Sequence, residues 1–186
     1  PSSYILTGGV AATRAAETLT VPAANLPYSS TNMSIQMDGK MTYADGNDSV
    51  EAEFYRWEVN SSNVVRAFLR TNSSNTGQVE FRQVAAGTSD TAASSGTLYS
   101  PATNVPFNIA GRHGSTFING AADGTAFTAN NTPVALVDLS TTDFKLGLEI
   151  MGTIGQFRMW DEDITDAGIV AATLPSTEPS LSLTFD

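Results

Sequence analysis

Gly152-Thr-Ile-Gly-Gln-Phe-Arg-Met-Trp-Asp-Glu-Asp-Ile-Thr-Asp-Ala-Gly-Ile-Val-Ala-Ala-Thr173 changes its period part-way along. From Ile154 to Trp160 the residues alternate. Gly155, Phe157 and Met159 share one face and Ile154, Gln156, Arg158 and Trp160 the other, which predicts a strand with at least one buried face. Asp161-Glu162-Asp163 then breaks the run. Thr165 is placed to cap a short helix whose apolar side is Ile169 and Val170, with Ala172 nearby, and Leu174-Pro175 ends it. A strand, a polar turn and a short helix close the part of the chain whose pattern is otherwise all strand.

The preceding sequence supplies those strands. Phe144, Leu146, Leu148 and Ile150 alternate with Lys145, Gly147 and Glu149. They are expected to face the space between two sheets, together with Phe157 and Met159. Met33, Ile35 and Met37 alternate with Ser34, Gln36 and Asp38, predicting a half-buried strand that runs on towards Tyr43. The stretch 49–59 reads as a long strand with Val50, Ala52 and Phe54 on one face and Tyr55, Trp57 and Val59 on the other. Asn60-Ser-Ser-Asn63 is a hairpin turn, and 64–71 and 77–85 are further strands. The stretch 84–95 loses its pattern and reads as a mobile loop, with brief pairing expected at 97–99. Strands at 106–112 and 115–120 form a hairpin with His113-Gly114 at its tip, and short strands follow at 125–128 and 180–185. About eleven or twelve strands and one short helix near the C-terminus argue an all-β chain folded as a two-sheet antiparallel sandwich.

Two sets of motifs carry a resemblance. Gly152, Ile154, Phe157, Arg158, Met159 and Trp160, followed by Ile164-Thr165-Asp166-Ala167-Gly168-Ile169, resemble the late strand and helix start of the LamG-like branch of the concanavalin A-like jelly rolls. Gly168 stands where that family usually has Glu, so the reciprocal half of a capping box is missing and the helix is expected to fray. Ser3-Tyr4-Ile5-Leu6-Thr7 and Thr13-Arg14-Ala15-Ala16-Glu17 resemble a junction found in phage virion proteins just ahead of a jelly-roll domain. Leu6 replaces the usual Pro there, and Glu17 the usual Asp. The 106–120 hairpin matches the same family, in which a strand of the form Ala-x-Arg leads to one ending in Asn-Gly. The resemblance implies an N-terminal arm over residues 1–16, a jelly-roll domain over 17–186, and a longer protein of which Pro1 is not the start.

Composition narrows the function. The chain has 186 residues, no cysteine, one histidine and a formal net charge of −10. That length suits a single sandwich domain with a sizeable core. Without cysteine there is no disulfide framework and no thiolate metal site. The nine basic residues are spread thinly along the sequence, with no run suited to a phosphate backbone, which argues against nucleic acid and an anionic membrane surface. No apolar run approaches the ~20 residues of a membrane-spanning helix.

Few residues suggest chemistry. His113, the lone histidine, is expected to be an exposed turn residue, and with no cysteine beside it transition-metal catalysis is disfavoured. Glu51 and Glu53 lie two residues apart on one strand, roughly 7 Å at ~3.3 Å per residue. An enzyme branch of the concanavalin A-like fold carries Glu-x-Asp-x-x-Glu on such a strand, but here Glu53 replaces the Asp and Arg56 the second Glu. A solvated strand face is expected, and no enzyme. Asp161, Glu162 and Asp163 are the candidate calcium ligands, calcium being the one cofactor the resemblance suggests. The same triplet suits a helix N-terminus without any metal. Asp45, Asn47 and Asp48 are a weaker candidate. Tyr55, Trp57, Tyr99 and Trp160, with Tyr43, are candidates for stacking on a sugar ring; for Trp160 core packing is the favoured alternative.

Together these readings imply a phage virion protein, such as a tail fibre, tail spike or capsid spike, that recognises a host-surface glycan or receptor without covalent chemistry. A homo-oligomer, a trimer for example, would multiply weak sites, with residues 4–10 of the arm contacting a neighbouring subunit or a preceding module. The rival readings are a ligand-free oligomerisation or capsid-decoration domain and, less favoured, a polysaccharide-degrading enzyme.

Overall fold

A computed structural model describes residues 19–44 and 51–175. The arm at 1–16, the Asp45, Asn47 and Asp48 cluster, Val50 and the strand expected at 180–185 lie outside the described residues.

The strands, in chain order, are β1 (Leu19–Val21), β2 (Asn32–Tyr43), β3 (Ala52–Asn60), β4 (Asn63–Leu69), β5 (Val79–Ala85), β6 (Thr88–Ala93), β7 (Ala102–Gly114), β8 (Ile118–Ala122), β9 (Thr125–Ala126), β10 (Phe144–Leu148) and β11 (Met151–Trp160). One helix, α1 (Thr165–Ala172), follows. They form two antiparallel sheets: a six-stranded sheet in the order β1-β10-β3-β4-β5-β6 and a five-stranded sheet in the order β11-β2-β7-β8-β9. The fold is a two-sheet antiparallel jelly-roll sandwich with a short helix near the C-terminus.

The core lies between the sheets. Met33, Ile35, Met37 and Met41 of β2 and Phe107 and Ile109 of β7 face Phe54, Tyr55, Trp57, Val65, Phe81, Phe144 and Leu146 of the other sheet. Aromatic rings connect through it: Trp57 and Phe144 have centroids 5.8 Å apart, Tyr55 and Phe144 5.5 Å, and Phe54 and Phe107 4.9 Å. These distances suit tilted and edge-on ring pairs. The buried indole N–H of Trp57 donates to the Thr142 carbonyl at 2.8 Å. Gly111 and Gly120 pair across β7 and β8. A Cβ on Gly120 would fall 2.1 Å from the Phe81 ring and one on Gly111 2.4 Å from it, so the two bare positions form the slot that receives that ring.

The register slips at four places among the described strands, one of them between Met41 and Tyr43 where β2 pairs β7, and the other three change which side chains face the core. Between Glu53 and Tyr55 the register slips, so Phe54 and Tyr55 both point inward and both are fully buried. The two faces expected for 49–59 therefore merge into one core set, Ala52, Phe54, Tyr55 and Trp57. A second slip between Glu58 and Asn60 leaves Val59 50% exposed rather than beside Trp57. In β11 the slip between Ile154 and Phe157 lets Ile154 join Phe157 and Met159 on the core side. An extra residue reverses the facing of everything beyond it.

Of the expected inner row, Phe144 and Leu146 are buried and Ile150, Phe157 and Met159 pack half-buried against the core. Leu148 is half-buried outside that cluster, at the end of β10, where Gly147 and Glu149 turn the chain with φ of 63° and 60°.

The stretch read as a mobile loop at 84–95 contains β6, paired with β5 over six residues. Ala86 and Gly87, at φ 48° and 83°, form a two-residue turn of the kind that matches strand twist. Being an edge strand of small polar residues, β6 carries almost no hydrophobic alternation; Ala92 is its single core residue. Residues 97–99 form no strand, but the N–H groups of Leu98 and Tyr99 both donate to the Gly77 carbonyl, at 2.9 and 3.2 Å. His113 is not at the hairpin tip. It lies inside β7, fully buried, opposite Ile118, and the chain turns at 115–117.

Helix α1 lies on the outer face of the five-stranded sheet, where Ile169 packs on Ala110 and Ala121. Arg112 clamps the approach. Its Nε donates to Asp163 at 2.8 Å and its Nη1 to Asp166 at 2.6 Å, while Asn119 Nδ2 donates to the same Asp166 oxygen at 2.8 Å. The Ala-x-Arg, Asn-Gly and Thr-Asp-Ala motifs thus meet in one helix-docking network. The cap is not Thr165, which has φ 68°. Asp163 Oδ1 accepts the Thr165 N–H at 2.8 Å instead. Gly168 also has a local reason, since a Cβ there would lie 2.8 Å from Ile164 Cβ.

Candidate functional site

The outer face of the six-stranded sheet carries the densest polar chemistry among the described residues. Cross-strand register aligns Lys145, Arg56, Arg66 and Arg82 in one row across β10, β3, β4 and β5. Like charges directly opposite one another are unfavourable unless countered, and here the neighbouring rows supply the counter-charges. On one side, Arg56 Nε donates to Glu53 at 2.6 Å, and Arg66 Nη1 donates to Glu51 and Glu53, both at 2.7 Å. Arg82 holds one oxygen of Glu80 through Nε and Nη2 at 2.9 and 2.6 Å, and Arg70 Nε reaches the other at 2.8 Å. On the other side, Glu58 accepts from Arg56 at 3.2 Å and Lys145 at 3.0 Å. Partial burial pushes the Glu58 carboxyl up, but the Lys145 hydrogen bond and the two cations outweigh it and hold the group below its usual range. The guanidinium carbons of Arg66 and Arg82 stand 4.3 and 4.7 Å from the centroid of the Phe68 ring, close enough for cation–π attraction.

Next to this array is a groove of about 360 Å³. Arg56, Arg66 and Arg82 form one wall, Val64 and Val84 the floor, and Ser89 with the neighbouring turns the far side. Val64 and Val84 are outside the inter-sheet core although only 4% and 7% exposed. An apolar floor flanked by fixed hydrogen-bond donors is the usual make-up of a small-ligand site.

Most residues singled out from sequence lie elsewhere. Tyr55 and Trp57 are fully buried and Tyr99 is 4% exposed, so their ring faces are packed in the interior and unavailable for stacking on a sugar. Tyr55 instead meets His113, Oη to Nε2 at 3.1 Å, and the Tyr43 hydroxyl donates to the Tyr99 carbonyl. Trp160 ends β11 half-buried and opposite Ser34, on the outer face that α1 covers rather than in the core. The three carboxylates of the acidic triplet are not drawn together. Asp163 is engaged by Arg112, Asp161 and Glu162 are exposed, and among the described residues no three His, Cys, Asp or Glu side chains are grouped to hold an ion. Glu53 is not solvated: it is 5% exposed, held between Arg56 and Arg66.

The groove residues escaped sequence reading because no two of its arginines are close in sequence. A regular hairpin pairing Asn60 with Asn63 would set Arg56 opposite Ala67. The bulge at Val59 shifts the register by one and sets it opposite Arg66. The legible signal was weaker: Arg56, Arg66 and Arg82 each sit in mid-strand.

The two antiparallel sheets and their core define a jelly-roll β-sandwich. The sequence matches no protein-family profile and no curated protein. Solved structures share the fold. The NanB sialidase of Streptococcus pneumoniae superposes with a TM-score of 0.63 at 15% identity, over 85% of this chain and 26% of the sialidase. The binding domain of botulinum neurotoxin serotype D gives 0.56 at 14% identity, over 76% of this chain and 36% of that one. Toad ovary galectin, solved with thio-digalactose, gives 0.51 at 11% identity over 78% of this chain and the whole galectin. The chain thus spans about a quarter of the sialidase and about a third of the neurotoxin domain. Its structural neighbours include enzymes and non-enzymatic binding domains.

Proposed function

We propose that this chain is a carbohydrate-binding module and that the groove beside Arg56, Arg66 and Arg82 is where the saccharide sits. The observation that carries this reading is the groove's composition: fixed guanidinium donors along an apolar valine floor, on the outer face of a sandwich sheet. Sugar hydroxyls take hydrogen bonds from planar donors and the C–H face of a pyranose lies on apolar side chains. The galectin neighbour, solved with thio-digalactose, supports the reading. The function is binding without chemistry: Glu53, the carboxylate nearest to a hydrolase role, is neutralised by two arginines. The Ser3–Thr7 and Thr13–Glu17 motifs support a place on a phage virion, as part of a tail fibre or a tail or capsid spike that recognises a host-surface glycan outside the cell. A homo-oligomer would raise the avidity of weak single sites by about 10²–10⁴.

The test is NMR titration of isotope-labelled protein with a panel of bacterial surface oligosaccharides. Shifts clustered at Val64, Arg66, Val84 and Ser89 are expected. Shifts clustered elsewhere, or none with any saccharide, would refute the groove assignment, and none at all would favour a ligand-free decoration domain.

A further inference from the structure

We infer that the saccharide this groove takes is acidic, and that its carboxylate is received by Arg66 and Arg82. The inference rests on the carbohydrate-binding reading and goes beyond it to the chemical class of the sugar.

The arginine row divides the sheet face in two. Glu51, Glu53 and Glu80 lie towards Phe68, and the groove lies on the opposite side, over Val64 and Val84. Glu58, opposite Val64 on the groove's side, is taken up by Arg56 and Lys145 and is not part of the lining. No carboxylate lines the groove. Arg66 uses only Nη1 in its ion pairs with Glu51 and Glu53, so its Nε and Nη2 have no acceptor among the described residues. Arg82 uses Nε and Nη2 on Glu80, and its Nη1 likewise has none. Arginine is donor-only. The side-chain acceptors lining the groove are therefore the hydroxyls of Ser61 and Ser89. A neutral sugar hydroxyl both donates and accepts, so it meets such a lining with its acceptor side only. A carboxylate only accepts, and guanidinium groups bind it strongly and in a fixed geometry.

The net charge of −10 limits the size of the anion without opposing the inference. Charges beyond a Debye length of about 8 Å are largely screened at physiological salt, so the local row of cations governs a short ligand. A long polyanion would extend over the acidic remainder of the surface. The fitting ligand is an oligosaccharide with one or a few acidic sugars.

The experiment uses matched pairs: trigalacturonic acid and its methyl ester, and sialyllactose and lactose, titrated into the full chain by calorimetry. The acid of at least one pair is expected to bind about tenfold or more tighter than its neutral partner, as hydrogen bonds to charged groups allow. That preference should shrink when salt rises from about 50 mM to about 500 mM. Arg66→Gln and Arg82→Gln should each remove the preference. Ser89→Trp, which fills the groove and leaves every ion pair in place, should abolish binding of both partners. Circular dichroism confirms that each variant is folded. If acid and neutral partners bind equally, or the preference survives both arginine substitutions, the acidic class is refuted and the groove reading stands. If no member of any pair binds and the broader NMR panel is also silent, the carbohydrate reading falls, and this inference with it.

Discussion

His113 offers a measurement that reads the interior directly. It is fully buried between Tyr55 and Phe81, with ring centroids at 6.3 and 6.4 Å. Its Nε2 meets the Tyr55 hydroxyl at 3.1 Å and its Nδ1 has no partner. Burial without a counter-charge lowers its pKa from 6.5 to about 3. The unfolded chain binds a proton at this residue below about pH 6.5 and the folded chain does not, so stability falls as pH drops from there towards 3. At pH 4.5 the unfolded state gains RT ln(1 + 10²), or about 3 kcal/mol from this one residue. The assay is guanidinium unfolding of the wild type and His113→Gln at pH 7.0, 5.5 and 4.5. Carboxylates such as Glu58 and Asp166, held below their usual range, also begin to lower stability in acid, but equally in both proteins. The wild type should therefore lose about 3 kcal/mol more than the variant between pH 7.0 and 4.5. Parallel pH profiles would mean that His113 is protonated in the folded protein or reached by solvent, and would refute its burial as a neutral group.

Three other substitutions probe the fold. Leu146→Asp sets a carboxylate in the inter-sheet core, where Leu146 is 5% exposed, and should prevent folding; native-like dispersion in its proton NMR spectrum would contradict the assigned register. Gly120→Ala drives a methyl group against Phe81 at 2.1 Å and should lower stability by about 1–3 kcal/mol, read from the thermal midpoint. Arg112→Ala removes the ion pairs with Asp163 and Asp166 and should expose the amides of α1 in hydrogen exchange while the central strands β2 and β7 keep their protection. Because Asp163 is engaged by Arg112, adding calcium or EDTA to the wild type should leave the melting temperature unchanged; a calcium-dependent rise would show that the acidic triplet binds the ion after all.

The period-two alternation of β2 and β10 and the strand, turn and helix at 152–173 could be read directly, because burying one sheet face imposes a chemical rhythm on the residues themselves. The apolar side of α1 could be read from its helical spacing, and the absence of cysteine chemistry from composition. The edge strand β6 could not be read, because a strand with one core residue carries no rhythm. Nor could the faces of 49–59: the bulges at Phe54 and Val59 each add one residue, and nothing in the local sequence marks where a register will slip. The binding groove depends on those slips. Arg56, Arg66 and Arg82 are ordinary mid-strand arginines until three strands pair, and the pairing offset alone decides whether they stand in one row. Tyr55 and Trp57 are the opposite case: their residue type suggested a sugar platform, and the packing of two sheets placed them in the core. The sequence by itself determined most of the strands, those with a buried face, and that they build a sandwich, since that information is local and periodic. Which side chains meet across strands, and therefore where a ligand can bind, was decided only by the tertiary structure, because register is a property of paired strands and of no single one of them.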